Sequence, residues 1–231
     1  MGLPPFFRLK VFEQLASTND EAKRQAVAGA GEGVLIVARR QTAGRGRSGR
    51  AWASPEGNLY LSLLLRPDRP PAEAAQLSFV AALAVAEAAG IATQLKWPND
   101  VLAGGRKLSG ILLEGFDGAL VIGVGVNVAA APEGATCLRE QGSAAGCDEL
   151  LAAFCDSLLD WRGRWLAKGF APVRDAWLAR AVGLGRPATA RLGRETLEGT
   201  FADLDADGAL LLDLGAAGRR RIAAGEVYFA P

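Results

Sequence analysis

At 231 residues, half of them hydrophobic, the chain is long enough to bury one substantial core together with a small appended unit. Its 26 basic and 25 acidic side chains nearly cancel, which argues against a whole-molecule attraction to nucleic acid or to an anionic membrane. No histidine is present, and Cys137, Cys147 and Cys155 form no C-x-x-C pair, so Ser-His-Asp and Cys-His catalysis are excluded, a zinc site or disulfide scaffold is disfavoured, and a reducing cytoplasm fits best.

The opening "MGLPPFFRLK" has no apolar core of signal-peptide length. "RLKVFEQL" reads as a strand, and the capping signature Thr18-x-x-Glu21 starts a short helix at about Ser17 that ends in glycines. "GVLIVARR" is a continuous β-branched run, hence a buried strand, and it leads directly into "QTAGRGRSGRAW" (41–52). "NLYLSLLL" (58–65) predicts the next strand. The apolar run 77–92, interrupted by Glu87 and shorter than the ~20 residues of a membrane span, predicts a buried helix closed by Gly90. "IATQLKWPNDVLAGGRKLSGILLEG" predicts two strands joined by a tight "AGGRK" turn, and "GALVIGVGVNV" a third. Residues 148 to about 182 repeat apolar side chains at helical spacing through Leu150, Leu151, Phe154, Leu158, Leu159 and Trp165. From Gly185 onward short strands alternate with Gly and Asp, with Asp207-Gly208 as a hairpin turn, which predicts a small terminal β-barrel docked on the main unit. The expected class is α+β, with a first unit over 1–183 and a second over 184–231.

The Gly/Arg loop is the densest concentration of charge in the chain. Gly44-x-Gly46-x-x-Gly49 matches the dinucleotide fingerprint, yet it is followed by Pro55 and a strand where that motif requires a helix. A phosphate-binding Walker loop fails too, because Arg50-Ala51 stands where Lys and Ser/Thr are needed. A solvated turn is the plain alternative, and a nucleic-acid element lacks the basic, aromatic-rich surroundings it needs. A pocket loop for a small anion agrees best with these residues. Glycines let the backbone approach and expose N–H groups, while Arg45 and Arg47 offer forked donors for carboxylate or phosphate.

Other segments point to the same chemistry. "KWPND" (96–100) places a lysine, an amide and a carboxylate around a proline that forces Trp97 into an extended conformation, although a strand ending in a turn would also use it. Lys107 follows the Gly104-Gly105 turn, where a solvated lysine is equally ordinary, and Asn127 ends the apolar run "VIGVGV", where it could serve a neighbouring turn.

Taken in order, "STN", "QTAGRGRSGRAW", "KWPNDVL", "RKLSGILLE" and "VIGVGVNV" resemble the successive signature segments of the biotin protein ligase family, and "GALLLDL…GEV" resembles its small SH3-like barrel. The resemblance covers nearly the whole chain. It implies a mixed sheet flanked by helices, of the kind shared with class II aminoacyl-tRNA synthetases, with the barrel beside the active site. It also implies the monofunctional enzyme, because bifunctional members carry an N-terminal DNA-binding domain and here Met1 lies a few residues before the first strand. The implied reaction joins biotin to ATP as biotinyl-5'-AMP, with Mg²⁺, and then transfers the acyl group to a lysine of a biotin carboxyl carrier protein. No nucleic acid or membrane is implied, and either a monomer or a homodimer is compatible.

By the same resemblance, Ser17, Thr18, Asn19 and Gln41 meet the biotin head group, and Gly110 also borders it. Arg45, Gly46 and Arg47 hold carboxylate and phosphate, and Lys107 bridges the two. Trp52, Lys96, Asn99 and Asn127 contact the nucleotide, with Trp52 stacking on the adenine. Asp100 positions Mg²⁺ or the incoming amine. The rival reading is a lipoate or octanoate ligase or transferase of the same superfamily, against which the "GRGRSGR" loop and the terminal barrel weigh.

Overall fold

The structure, a computed structural model, describes residues 2–193 and 195–229. A first run of elements comprises β1 (Arg8–Leu15), α1 (Thr18–Val27), β2 (Val34–Gln41), β3 (Leu59–Leu65), α2 (Pro71–Ala74), α3 (Leu77–Ala88), β4 (Gln94–Lys96), β5 (Asp100–Ala103), β6 (Arg106–Phe116) and β7 (Ala119–Val126). Two helices follow, α4 (Cys147–Lys168) and α5 (Ala171–Leu178). The chain then enters β8 (Pro187–Leu192), β9 (Glu195–Leu204), β10 (Leu210–Asp213), β11 (Arg219–Ile222) and β12 (Glu226–Phe229).

The first seven strands form one sheet in the order β1-β2-β3-β7-β6-β5-β4. Only β1 and β2 run parallel, as the crossover helix α1 between them requires; the remaining pairs are antiparallel. β3 lies inside this sheet, and all of its residues are buried, because both faces are covered. On one face α1 packs Ala22 and Ala26 against Val34, Ile36, Leu64 and Val121. On the other, Leu35, Leu61, Leu63 and Leu65 meet α3, which is apolar nearly all round because α4 and α5 cover its outer side.

The last five strands form a separate antiparallel sheet in the order β11-β10-β9-β8-β12. The expected terminal β unit is present, but its hydrogen bonding does not close into a barrel: β11 and β12 are its two edges. Its β9–β10 turn docks on the helices and on the "KWPND" segment. Trp97 Nε1 donates to Gly208 O at 3.1 Å, Gln76 Nε2 to Ala206 O at 3.2 Å and Arg174 Nε to Leu204 O at 2.8 Å. Beneath the turn, Phe79 makes edge-to-face contacts with Phe170 and Trp177.

Two local expectations are corrected. The α1 cap is Ser17, whose Oγ accepts from Asp20 N, whereas Glu21 binds Arg24 and Gln25 within the helix. The 91–115 segment forms three strands, because the turn at Trp97-Pro98-Asn99 separates β4 from β5. The helical stretch expected after 148 is present, as two helices broken at Gly169, which adopts φ +70°.

Gly208 holds φ +90°, and a Cβ there would lie 2.7 Å from the Phe79 ring. Gly208→Ala is expected to cost about 1–3 kcal/mol of stability, as a strained turn and a displaced aromatic combine. Urea unfolding of the two proteins measures it, and a midpoint equal to the parent's would show that the turn adapts freely.

Candidate active site

A cavity of about 750 Å³ opens beside the sheet, between the ends of β6 and β7, the Gly/Arg loop and the edge of the second sheet. Every residue singled out from sequence lines it: Ser17, Thr18, Asn19 and Gln41 at one end, Arg45, Gly46, Arg47 and Trp52 along the loop, and Lys96, Asn99, Asp100, Lys107, Gly110 and Asn127 opposite.

At the polar end the N-terminus of α1 faces β2 and β3. Thr18 donates to Gln41 Oε1 through its backbone N at 2.8 Å and lies 3.1 Å from it through Oγ1, while Gln41 Nε2 donates to Ser54 Oγ at 3.1 Å. Asn19 is held from two sides: Ser62 Oγ lies 2.5 Å from its Oδ1, and its Nδ2 donates to Glu114 Oε2 at 2.6 Å. Ser17, Thr18 and Asn19 are buried and line the cavity, with buried Ser62 behind them, so the polar groups they leave unused are available to whatever fills it.

The floor is made of glycine. Gly110 on β6 pairs with Gly125 on β7, and the absent side chains leave a trough. Trp52 lies in it: a Cβ on Gly125 would fall 2.6 Å from the indole, and one on Gly110 would fall 3.0 Å from it. Lys107 Nζ sits 5.4 Å above the same ring, and the indole Nε1 has no hydrogen-bond partner among the described residues.

The remaining wall is cationic. Lys107 Nζ lies 2.6 Å from Asp100 Oδ1, close enough for an ion pair although the carboxylate oxygen has no aligned hydrogen bond. Arg47 reaches Asn99 Oδ1 and Gly225 O, each at 3.5 Å, and burial pushes its pKa down against the opposing pull of Asp100 and Glu226. Asn99 is fixed by donating to Ile111 O at 2.7 Å. Arg45 points away from this wall, with its two Nη groups on Asp20 at 2.8 and 2.5 Å. Asn127 is buried and donates to Thr136 O at 3.1 Å. Gly46 N closes the loop on Arg50 O, and the turn passes through left-handed Ser48 and Gly49.

Residues 11–129 match the model of the biotin/lipoate A/B protein ligase family, and residues 183–230 match the biotin protein ligase C-terminal domain. The chain is 44% identical to the biotin–[acetyl-CoA-carboxylase] ligase of Paracoccus denitrificans across 92% of this chain and 97% of that one. The chain belongs to the biotin protein ligase family. The bifunctional ligase/repressor BirA of Bacillus subtilis is 38% identical over 86% of this chain and 67% of its own length. Among solved structures, the Aquifex aeolicus biotin protein ligase in complex with biotin and ATP superposes with a TM-score of 0.87 at 30% identity, covering 96% of this chain and 99% of that one.

Within this family fold, several cavity residues had escaped the sequence reading. Gly123 and Gly125 alternate in "VIGVGV", and that period of two was itself a readable sign of a bare strand face. Behind the lining, Ser62 sits inside an apolar strand, where a lone hydroxyl signals a buried partner, and it supports Thr18 and Asn19. Arg191, Gly225, Glu226 and Tyr228 come from the second sheet and line the same cavity, and no local pattern announces that. Tyr228 lies between Lys96 and Arg191, 5.5 and 4.8 Å from its ring centroid, and Glu226 pairs with Arg50 of the loop.

The Asp20 carboxyl is held below its ordinary range, chiefly by the Arg45 hydrogen bonds. Its stabilising contribution is therefore present at neutral pH and is lost as pH falls through the lowered folded value. Asp20→Asn should reduce the proton uptake on unfolding below about pH 4 by up to one proton. Urea titrations between pH 5 and 2 check this, and an unchanged slope would mean that the pair is equally formed in the unfolded chain.

Proposed function

We propose that this chain catalyses the ATP-dependent attachment of biotin to a carrier-protein lysine through biotinyl-5'-AMP. The observation that carries the reading is the arrangement of a single cavity: a buried hydrogen-bonding end, a glycine trough, and a wall bearing Lys96, Lys107 and Arg47. A cyclic urea with N–H donors and a C=O acceptor suits the first. A carboxylate meeting a triphosphate suits the last.

In the first half-reaction a biotin carboxylate oxygen attacks the α-phosphorus of ATP, and the bond to the bridging oxygen of the leaving pyrophosphate breaks. Two anions must approach, and negative charge accumulates between them, so fixed cations in a partly desolvated cavity supply the main stabilisation. Lys107 is assigned to the carboxylate and α-phosphate. Arg47, Lys96, Asn99 and Asn127 are assigned to the nucleotide, with Trp52 packing against its base. Ser17, Thr18, Asn19 and Gln41 hold the ureido ring, Gly110 is bared to biotin when Trp52 leaves the trough for the nucleotide base, and Arg45 and Gly46 shape the loop that closes on the adenylate and keeps water from it. In the second half-reaction the neutral carrier lysine amine attacks the acyl carbon, the bond from that carbon to the AMP phosphate oxygen breaks, AMP leaves, and the amine's surplus proton passes to solvent.

The described residues contain no cluster of three or more acidic, histidine or cysteine ligands, so Mg²⁺ entering with ATP would take most of its oxygens from phosphate and water. Asp100 is assigned as its protein contact, a role in which its carboxylate would exchange or share the ion pair it makes with Lys107. When bound, Mg²⁺ supplies charge neutralisation at the phosphates. We assign residues 1–183 to the catalytic unit and 184–231 to a second unit that borders the nucleotide end. The carrier is a biotin carboxyl carrier protein, such as that of acetyl-CoA carboxylase. The reaction is assigned to the cytoplasm; among the described residues no helix is long and apolar enough to cross a membrane.

Pyrophosphate release from Mg-ATP, measured with biotin, lipoate, octanoate or no acid, tests the reading; release is expected with biotin alone. Release driven by lipoate or octanoate would transfer the proposal to the other branch of the family. Lys107→Ala is expected to slow single-turnover adenylate formation by roughly 10²- to 10³-fold. An unchanged rate would remove Lys107 from the chemistry.

A further inference from the structure

Glu114 lies on β6, behind the polar end of the cavity and outside its lining. It is a partly buried carboxylate whose two oxygens are divided between Asn19 Nδ2 at 2.6 Å and Lys23 Nζ at 2.8 Å, with Arg45 Nη2 a further 3.9 Å contact. Burial alone would raise its pKa, but the hydrogen bonds from Lys23 and Asn19 outweigh that and keep it below the ordinary carboxylate range. An ionised carboxylate only accepts hydrogen bonds. Asn19 must therefore turn its NH₂ toward Glu114 and its carbonyl oxygen toward Ser62 Oγ and the bare face of Gly123, where a Cβ would fall 2.3 Å from Oδ1.

We infer that Glu114 is a positioning residue that sets the donor–acceptor order of the ureido site by fixing the orientation of the Asn19 amide, with Lys23 securing the carboxylate. The inference rests on the biotin reading given above. An asparagine amide is nearly symmetric in shape and flips at little steric cost, so a cavity that uses one to recognise a cyclic urea needs a group that breaks the symmetry. Glu114 supplies it from a position that makes no contact with the cavity.

Glu114→Gln is the decisive variant. Lys23 still attracts the glutamine oxygen, which leaves Nε2 facing Asn19, and two NH₂ groups cannot face each other. Asn19 is then expected to invert, presenting a donor where the parent presents an acceptor. The KM for biotin in biotin-dependent pyrophosphate release should rise at least about tenfold, while kcat and the KM for ATP stay within about twofold. Lys23→Met breaks the same ion pair but leaves a carboxylate facing Asn19, so its KM for biotin should stay within about threefold of the parent. The double variant Asn19→Asp with Glu114→Gln lets the glutamine Nε2 donate to the new carboxylate and restores an acceptor toward Ser62; its KM should fall below that of either single variant.

Equal effects of Glu114→Gln and Lys23→Met on KM, or a parental KM in Glu114→Gln, would overturn the inference, since a merely structural ion pair is broken in both. So would a double variant whose effect is the product of the two singles. Failure of the parent to release pyrophosphate with biotin would instead overturn the ligase reading itself, and thermal melts of each variant separate loss of fold from loss of recognition.

Discussion

The ladder between β6 and β7 is the constraint on which the site depends. Its register sets Gly110 opposite Gly125 and Leu112 opposite Gly123, and Ser109 Oγ pins the pair by donating to Gly125 O at 2.7 Å. A slip of one residue would turn the glycine face into the core and raise aliphatic side chains into the trough where Trp52 lies. The same ladder carries Lys107 near the start of β6 and Asn127 just past the end of β7, with Asn127 N donating to Leu108 O. The floor, the lysine and the amide are thus a single geometric fact. Burial of β3 on both faces makes that fact rigid, because it leaves the neighbouring β7 no freedom to shift in register.

The electrostatics of the cavity follow from a surplus of cations. Arg45, Arg47, Arg50, Lys96, Lys107 and Arg191 line it against the carboxylates of Asp100 and Glu226. Self-repulsion on this scale is reduced by local partners: Asp20 takes Arg45, Asp100 takes Lys107 and Glu226 takes Arg50. Among the described residues Arg47 reaches only carbonyl oxygens, of Asn99 and Gly225, and burial pushes its pKa down. A cation held in that way gains most from an incoming anion, since it has the least to give up. Lys107, by contrast, already has Asp100 as a partner.

Much of this was legible in the sequence because it is written at short range. Alternation and β-branched runs located the strands, the apolar stretch from Leu77 located α3, and the glycine–arginine loop stood out by composition alone. Motif order then gathered residues as distant as Ser17 and Asn127 into one list, and the fold brings that whole list to one cavity. What escaped is what depends on tertiary distance. Glu114 and Asn19 are 95 residues apart, and the contribution of Tyr228 and Glu226 to the cavity depends on how two sheets dock. Barrel closure was expected from strand count and turn spacing, which do not determine whether the edge strands pair.

The docking of the second sheet is inseparable from the placement of the charges. Trp97 anchors the β9–β10 turn through Gly208, while its neighbours Lys96 and Asn99 face the cavity and Asp100 pairs with Lys107. One five-residue segment therefore carries the inter-sheet anchor and part of the cationic wall. At the far end of the same sheet, Gly225 accepts from Arg47, and Glu226 pairs with Arg50 of the loop. A movement of the second sheet cannot leave the anion-facing groups where they are: it would pull on the "KWPND" turn at one end and on the Gly/Arg loop at the other. The smaller sheet thereby acts as a structural wall of the site, and the geometry of the cationic end is set jointly by both halves of the chain.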